Sequence, residues 1–264
     1  MIIKAAIKRE QSQAGLSSAE REQARLKVKV CGLREPDNIR AVERLGVDWL
    51  GLIFWPKSPR CVTMIPTHAG IIPDRGAPLG QSKAKRVGVF VDEMPQNIIT
   101  CAVNYRLDLI QLHGHESPTL IRNLRRTLDP DIRPGIKMIK AISVSSREDL
   151  MTYKKYDGLV DYFLFDTKCK TVGGSGERFD WSVLDAYDGE PPFLLSGGIG
   201  PDDAERVHAF RHPRCVGIDL NSRFELAPGL KDINKLKQFL EHIAHLETLE
   251  QQNNDTEQNQ RTFQ

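Results

Sequence analysis

The chain predicts a closed (β/α)8 barrel of the TIM type, a single domain with polar N- and C-terminal extensions. Three observations carry this expectation. Short apolar runs, of the kind found in strands buried on both faces, recur along the sequence. Helical patterns fill the gaps between them, several opened by proline at a first helical position. Eight strand–helix units of similar length, spread over about 220 residues, favour a closed barrel over a doubly wound open sheet.

The expected strands are 27–31 (KVKVC), 48–54 (DWLGLIF), 86–91 (RVGVFV), 108–112 (DLIQL), 136–142 (IKMIKAI), 160–165 (VDYFLF), 192–196 (PFLLS) and 215–220 (CVGIDL). Pro36 precedes Ile39, Val42 and Leu45 at helical spacing, and Pro95 leads Ile98, Ile99, Ala102 and Val103. Ser117-Pro118 supplies a cap and first position before Leu120, Ile121, Leu124 and Leu128. Ser146 with Asp149 reads as a capping box, and Pro201 leads Ala204, Val207 and Phe210. A last helix is expected to carry Leu230, Ile233, Leu236, Phe239, Leu240 and Ile243. The second helix is the weakest, because Pro66, Pro73, Pro78, Gly76 and Gly80 interrupt any pattern in 64–84.

These elements give a barrel over 27–246, preceded by an N-terminal extension, 1–26, and followed by a polar tail, 247–264. The end of that tail (EQQNNDTEQNQRTFQ) is too polar to bury enough surface to fold alone. Hydrophobic residues make up 40% of the 264, enough for a sizeable core. With 37 basic against 35 acidic residues, the charge of +2 gives no electrostatic reason to expect a nucleic acid or membrane partner. No apolar run approaches bilayer length, and the N-terminus lacks a long apolar segment of the kind export requires. The five cysteines are scattered and show no metal-ligand spacing, which fits reduced thiols in a cytoplasmic enzyme. His113 and His115 flank Gly114, but two histidines without further ligands do not make a metal site.

A barrel of this kind places its chemistry at the C-terminal ends of its strands. Reactive residues do gather there. The sixth run ends at Asp166, before a loop containing Gly173, Gly174, Ser175 and Gly176. Alone, that stretch fits an acid under a lid and a simple loop cap equally well. Cys31 ends the first run; its plainer reading is a buried structural thiol, but a position at the barrel mouth favours a base or nucleophile. Gly197, Gly198 and Gly200-Pro201 follow the seventh run, where such barrels bind phosphate through backbone N–H groups, and Asn221 and Ser222 after the eighth can add donors. Arg60 can grip a carboxylate or phosphate bidentately, or form an ordinary surface ion pair. His113 and Asp219 can each contact substrate or merely anchor a turn.

The motifs KVCGLREPDN, GLIFWPKSPRCV, LIQLHGHES, FLFDTK followed by GGSGERFDW, LLSGGIGPDDA and GIDLNSRFELAPGLKD occur in this order. Together they resemble the phosphoribosylanthranilate isomerases of tryptophan biosynthesis, from about Lys27 to Phe239. The resemblance implies a cofactor-free Amadori rearrangement of N-(5-phosphoribosyl)anthranilate to 1-(2-carboxyphenylamino)-1-deoxyribulose 5-phosphate. It implies Cys31 as general base, Asp166 as general acid and Arg60 as the anchor of the anthranilate carboxylate. Gly197, Gly198, Asn221 and Ser222 match the family's phosphate site, and His113 and Asp219 match residues lining the pocket. No metal is implied, and the protein is expected to work as a monomer or homodimer on a small phosphorylated substrate.

Those roles make opposite demands. Asp166 must be held protonated, by apolar surroundings such as Phe165 or by the charge of the substrate, while the Cys31 thiol must be lowered, with Lys29 contributing from the same strand face. The chain departs from the family pattern D-x-S-S-G-V-E, reading Asp219-Leu220-Asn221-Ser222-Arg223-Phe224-Glu225. Arg223, in place of glycine, either helps hold an anion or points to water. Two alternatives stand beside the isomerase: another sugar-phosphate isomerase of the same fold, and a non-catalytic barrel that binds a phosphorylated ligand.

Overall fold

The computed structural model describes residues 25–62, 84–167 and 180–262. The expected second helix, the glycine loop at Gly173–Gly176, Cys169 and nearly all of the N-terminal extension lie outside the described residues.

All eight expected strands are present: β1 (Lys27–Val30), β2 (Trp49–Ile53), β3 (Lys85–Phe90), β4 (Leu109–Leu112), β5 (Lys137–Val144), β6 (Tyr162–Thr167), β7 (Phe193–Ser196) and β8 (Cys215–Leu220). They pair in parallel, in sequence order, and close into a barrel where β8 meets β1 with Lys29 opposite Asp219. Alternation along each strand divides the side chains between two cores. Cys31, Trp49, Val87, Val89, Leu109, Ile139, Ala141, Leu164 and Leu194 fill the barrel interior. Their outward neighbours, including Val28, Val30, Phe163 and Phe165, pack beneath the helices.

Helices α1 (Pro36–Arg44), α2 (Pro95–Asn104) and α3 (Pro118–Thr127) each open on proline, whose missing N–H costs nothing in a first turn. The Ser117 hydroxyl accepts from the Leu120 N–H, and Ile121 and Leu124 are buried against the sheet. The expected capping box at α4 (Arg147–Leu150) is half realised. Ser146 Oγ accepts from the Asp149 N–H at 3.3 Å, but the Asp149 carboxylate reaches one residue further back, to the Ser145 N–H at 3.0 Å and hydroxyl at 2.6 Å. After β6 the described chain forms only a 3-10 turn, Trp181–Ala186, and α5 (Ala204–Ala209) follows a 3-10 turn at Pro201–Asp203.

Leu230 departs from the expected last helix. It belongs to a two-stranded antiparallel ribbon, β9 (Glu225–Ala227) with β10 (Leu230–Lys231), inserted after β8. Helix α6 (Ile233–Thr262) starts beyond it, where the Asp232 carboxylate accepts from the N–H groups of Asn234 and Lys235. Leu236, Phe239 and Ile243 bury its apolar face, as the spacing predicts. The helix also continues into the segment expected to be a polar tail, as far as Thr262. Adding a residue to an existing helix costs far less than nucleating one, so a polar sequence can extend a packed helix.

Candidate active site

The site is built around the turn that follows β1. The Cys31 N–H continues the β1–β8 ladder by donating to the Leu220 carbonyl at 2.8 Å, and the side chain faces the barrel interior. Room for it is left by β2: a Cβ at Gly51 would sit 2.9 Å from Cys31 Sγ and 2.9 Å from its Cα. Gly32 then takes a left-handed φ of 75°, and a Cβ there would meet Asn221 Oδ1 at 2.6 Å and Arg60 Cδ at 2.7 Å. One bare turn thus gathers Cys31, Arg60 and Asn221 from three segments.

Below Cys31, on the same face of β1, the Lys29 ammonium donates to Asp219 Oδ1 at 2.8 Å inside the barrel. Asp219 Oδ2 also receives the Ser196 hydroxyl at 3.4 Å, and Ser196 is paired in register with Asp166. A line of polar side chains therefore crosses β6, β7, β8 and β1 beneath the mouth. The expectation that Cys31 is lowered overall is not met. Burial pushes its thiol up, and the opposing pull of Lys29 and then Lys231 does not overcome it. Burial likewise works against the Lys29 charge, but Asp219 and Cys31 outweigh it and hold that ammonium's pKa raised.

Asp166 points inward from β6, as Leu164 does two residues earlier, and its carboxylate lies 3.8 Å from His113 Nε2. Gln111, inward on β4, places its amide nitrogen 2.8 Å from His113 Nδ1. With that amide donating, the ring proton of a neutral His113 sits on Nε2, the edge facing Asp166. Phe165 does not supply the apolar surroundings foreseen for Asp166. Alternation turns it to the opposite face of the sheet, where its ring packs against Phe163, Tyr187 and Phe193.

The loop carrying His113 is braced from beneath. Glu116 accepts from the N–H groups of Gly114 at 3.0 Å and Asp92 at 3.1 Å, and the buried Lys140 ammonium donates to Glu116 at 3.0 Å.

Arg60 is bidentate, with Glu225 rather than with an exposed group. Its Nε lies 2.9 Å from Oε1 and its terminal nitrogen 2.6 Å from Oε2. Glu225 also receives the Lys231 ammonium at 2.8 Å. Burial opposes the Glu225 charge, yet these two cations hold its carboxyl below the ordinary range.

In the expected phosphate loop, Gly197 and Gly198 have φ of 97° and 68°. A Cβ on Gly197 would fall 2.1 Å from the Thr167 carbonyl, so this residue is bare in order to seat the loop against the end of β6. A Cβ at Gly198 would meet open space, and Gly200 stands beside the Arg223 side chain, which brings the loops after β7 and β8 together. Ser222 is exposed at the start of a 3-10 turn. The Asn221 side-chain oxygen is turned the other way, accepting from Lys231 at 2.9 Å.

Sequence reasoning missed Gln111, Glu225 and Lys231. Gln111 did leave a signal, as the polar residue inside the apolar run DLIQL. The Glu225 and Lys231 contacts depend on the β9–β10 ribbon, which has no apolar pattern of its own.

Residues 28–242 match the family model described as N-(5'-phosphoribosyl)anthranilate (PRA) isomerase. The isomerase of Parabacteroides distasonis is 49% identical over 218 residues, covering 83% of this chain and 93% of the relative. That of Phocaeicola vulgatus is 44% identical over 221 residues, covering 81% and 99%. The crystal structure of phosphoribosyl anthranilate isomerase from Thermotoga maritima superposes with a TM-score of 0.67 at 32% identity, covering 84% of this chain and all (100%) of that one. Another solved isomerase, in complex with reduced 1-(o-carboxyphenylamino)-1-deoxyribulose 5-phosphate, gives 0.63 at 28% identity, with 84% and 100% covered. A match over most of the barrel, from β1 into α6, makes this chain a member of the N-(5'-phosphoribosyl)anthranilate isomerase family.

Proposed function

We propose that this isomerase opens and rearranges N-(5'-phosphoribosyl)anthranilate with Asp166 as general acid and Cys31 as general base. Asp166 donates a proton to the ring oxygen as the C1'–O bond breaks, and the anthranilate nitrogen lone pair forms the iminium. The Cys31 thiolate then removes the C2' proton, and those electrons neutralise the iminium to give an enolamine. Tautomerisation to the ketone completes an isomerisation in which no net electron leaves the substrate. Proton transfer is the whole chemistry, so the reading calls for no cofactor.

The observation that carries this reading is that Cys31 and Asp166 lie at the C-terminal ends of β1 and β6, on the inward face of one barrel mouth. His113 Nε2, 3.8 Å from Asp166, is suited to steer the acid and the ring oxygen. Arg60 anchors the anthranilate carboxylate, oriented by Glu225. Asp219 keeps Lys29 charged and Ser196 oriented below the reacting carbons. Gly197 and Gly198, with Asn221 and Ser222, form the phosphate end; Gly198 has the open side that a backbone–phosphate contact requires.

In this reading the working unit is the barrel, 27–246, acting in the cytoplasm as a monomer or homodimer. Among the described residues Cys31, Cys61, Cys101 and Cys215 form no disulfide, which fits a reducing compartment. No helix among the described residues is long and apolar enough to cross a membrane. Family membership stands against a non-catalytic barrel or a different sugar-phosphate isomerase. Complementation tests the whole: the chain is expected to restore growth without tryptophan to a strain lacking the isomerase, and failure with folded, expressed protein would contradict it.

A further inference from the structure

Lys231 lies within the stretch, 28–242, that the family model matches, yet none of the steps above uses it. Its ammonium is fully buried, and its described partners all belong to the turn behind the site. It donates to the Asn221 carbonyl at 3.2 Å, to Asn221 Oδ1 at 2.9 Å and to Glu225 Oε1 at 2.8 Å. Its backbone is clamped from α1: Asn38 accepts from the Lys231 N–H at 2.7 Å and donates to its carbonyl at 2.9 Å. Glu225 holds the Arg60 fork, and both Asn221 and Arg60 press on the bare face of Gly32, the residue after Cys31. Sealing a lysine in this way carries a desolvation cost that a purely apolar residue of the same volume would not incur.

We propose that Lys231 is a positioning residue for the reaction: it fixes the Arg60–Glu225 pair and Asn221 around the Cys31 turn, and so sets the arrangement of charge beside that thiol. This rests on the reading of Cys31 as base and Arg60 as carboxylate anchor. Four charged groups bear on Cys31. Lys29 reaches it from β1, Asp219 from β8, Lys231 from β10 and Arg60 from the loop after β2. Lys29 is already matched to Asp219 at 2.8 Å, so part of its field at Cys31 is cancelled. Lys231 shares Glu225 with Arg60, which leaves two cations against one carboxylate on that side of the thiol.

The test follows the rate of iodoacetamide labelling of the Cys31 peptide against pH, alongside the pH profile of kcat/KM. Lys231→Met is expected to move the Cys31 midpoint up by about one unit or more and to lower kcat/KM at neutral pH about tenfold. Lys231→Arg is expected to recover most of the midpoint. Glu225→Gln removes the counter-ion and is expected to shift the midpoint down, an opposite sign that loosened packing would not produce. Should Lys231→Met fail to fold, Lys231→Gln decides, since it keeps a donor toward Asn221 and Glu225 but removes the charge: an upward shift supports the role and an unmoved midpoint overturns it. Two failures are distinguishable. Near-native turnover of Cys31→Ser overturns the base assignment itself. Unmoved midpoints in Lys231→Met and Glu225→Gln overturn the role of Lys231 with that assignment intact.

Discussion

Lys29 donates to Asp219 at 2.8 Å with neither side chain more than 6% exposed, two residues below Cys31 on the inward face of β1. Strand register dictates this contact, because Lys29 and Asp219 are direct partners across the β1–β8 seam that closes the barrel. The pair therefore ties barrel closure to the charge environment of the proposed base.

Breaking that pair from one side should be costly. Lys29→Met leaves the Asp219 carboxylate buried without its counter-ion, and is expected to destabilise the fold by about 3–5 kcal/mol. Adding Asp219→Asn should recover much of the loss, since the uncompensated charge is gone. Urea unfolding of the two single variants and the double variant measures the coupling, and additive losses would contradict it.

Arg60→Ala is expected to raise KM about tenfold or more while changing kcat less, because the anthranilate carboxylate makes and breaks no bond and is held in ground and transition states alike. Arg60→Lys should rescue little, as a point charge cannot replace the fork that Glu225 orients. Steady-state kinetics on both variants checks this, and an unchanged KM for Arg60→Ala would remove the assignment.

Much of the fold was legible because its strands are buried on both faces and stand out as apolar runs. Cys31 and Asp166 could be placed at the barrel mouth because each ends such a run. What was not legible depends on direction or on distant partners. Leu230 is apolar at helical spacing from Ile233, yet the β9–β10 ribbon claims it. Phe165 adjoins Asp166 in sequence but faces the other side of the sheet. The lift of the Cys31 thiol reflects how deeply the barrel buries it, which no local pattern records. Lys231 and Glu225 meet only after the β8 loop has folded back on itself.

Stability should fall in acid through Asp161, at the entrance to β6. Burial opposes its charge, but Arg125 at 2.6 Å, the Met138 N–H at 2.8 Å and Lys137 at 3.0 Å outweigh it, holding the carboxyl below its ordinary 3.8. A depressed carboxyl contributes stability that is present above its unfolded value and lost as pH falls through the folded one. Asp161→Asn is expected to cost about 1–3 kcal/mol at neutral pH and to flatten the stability profile below about pH 4. Thermal melts across that range test it; a variant as acid-sensitive as the parent would contradict the assignment.

The central claim, that Asp166 and Cys31 divide acid and base work across one barrel mouth, is tested most directly by turnover of N-(5'-phosphoribosyl)anthranilate in Cys31→Ala and Asp166→Asn. Each is expected to lower kcat by at least about 10²-fold, the low end for a general acid or base, with a native-like melting transition. Near-native turnover in either folded variant would contradict the account for that residue.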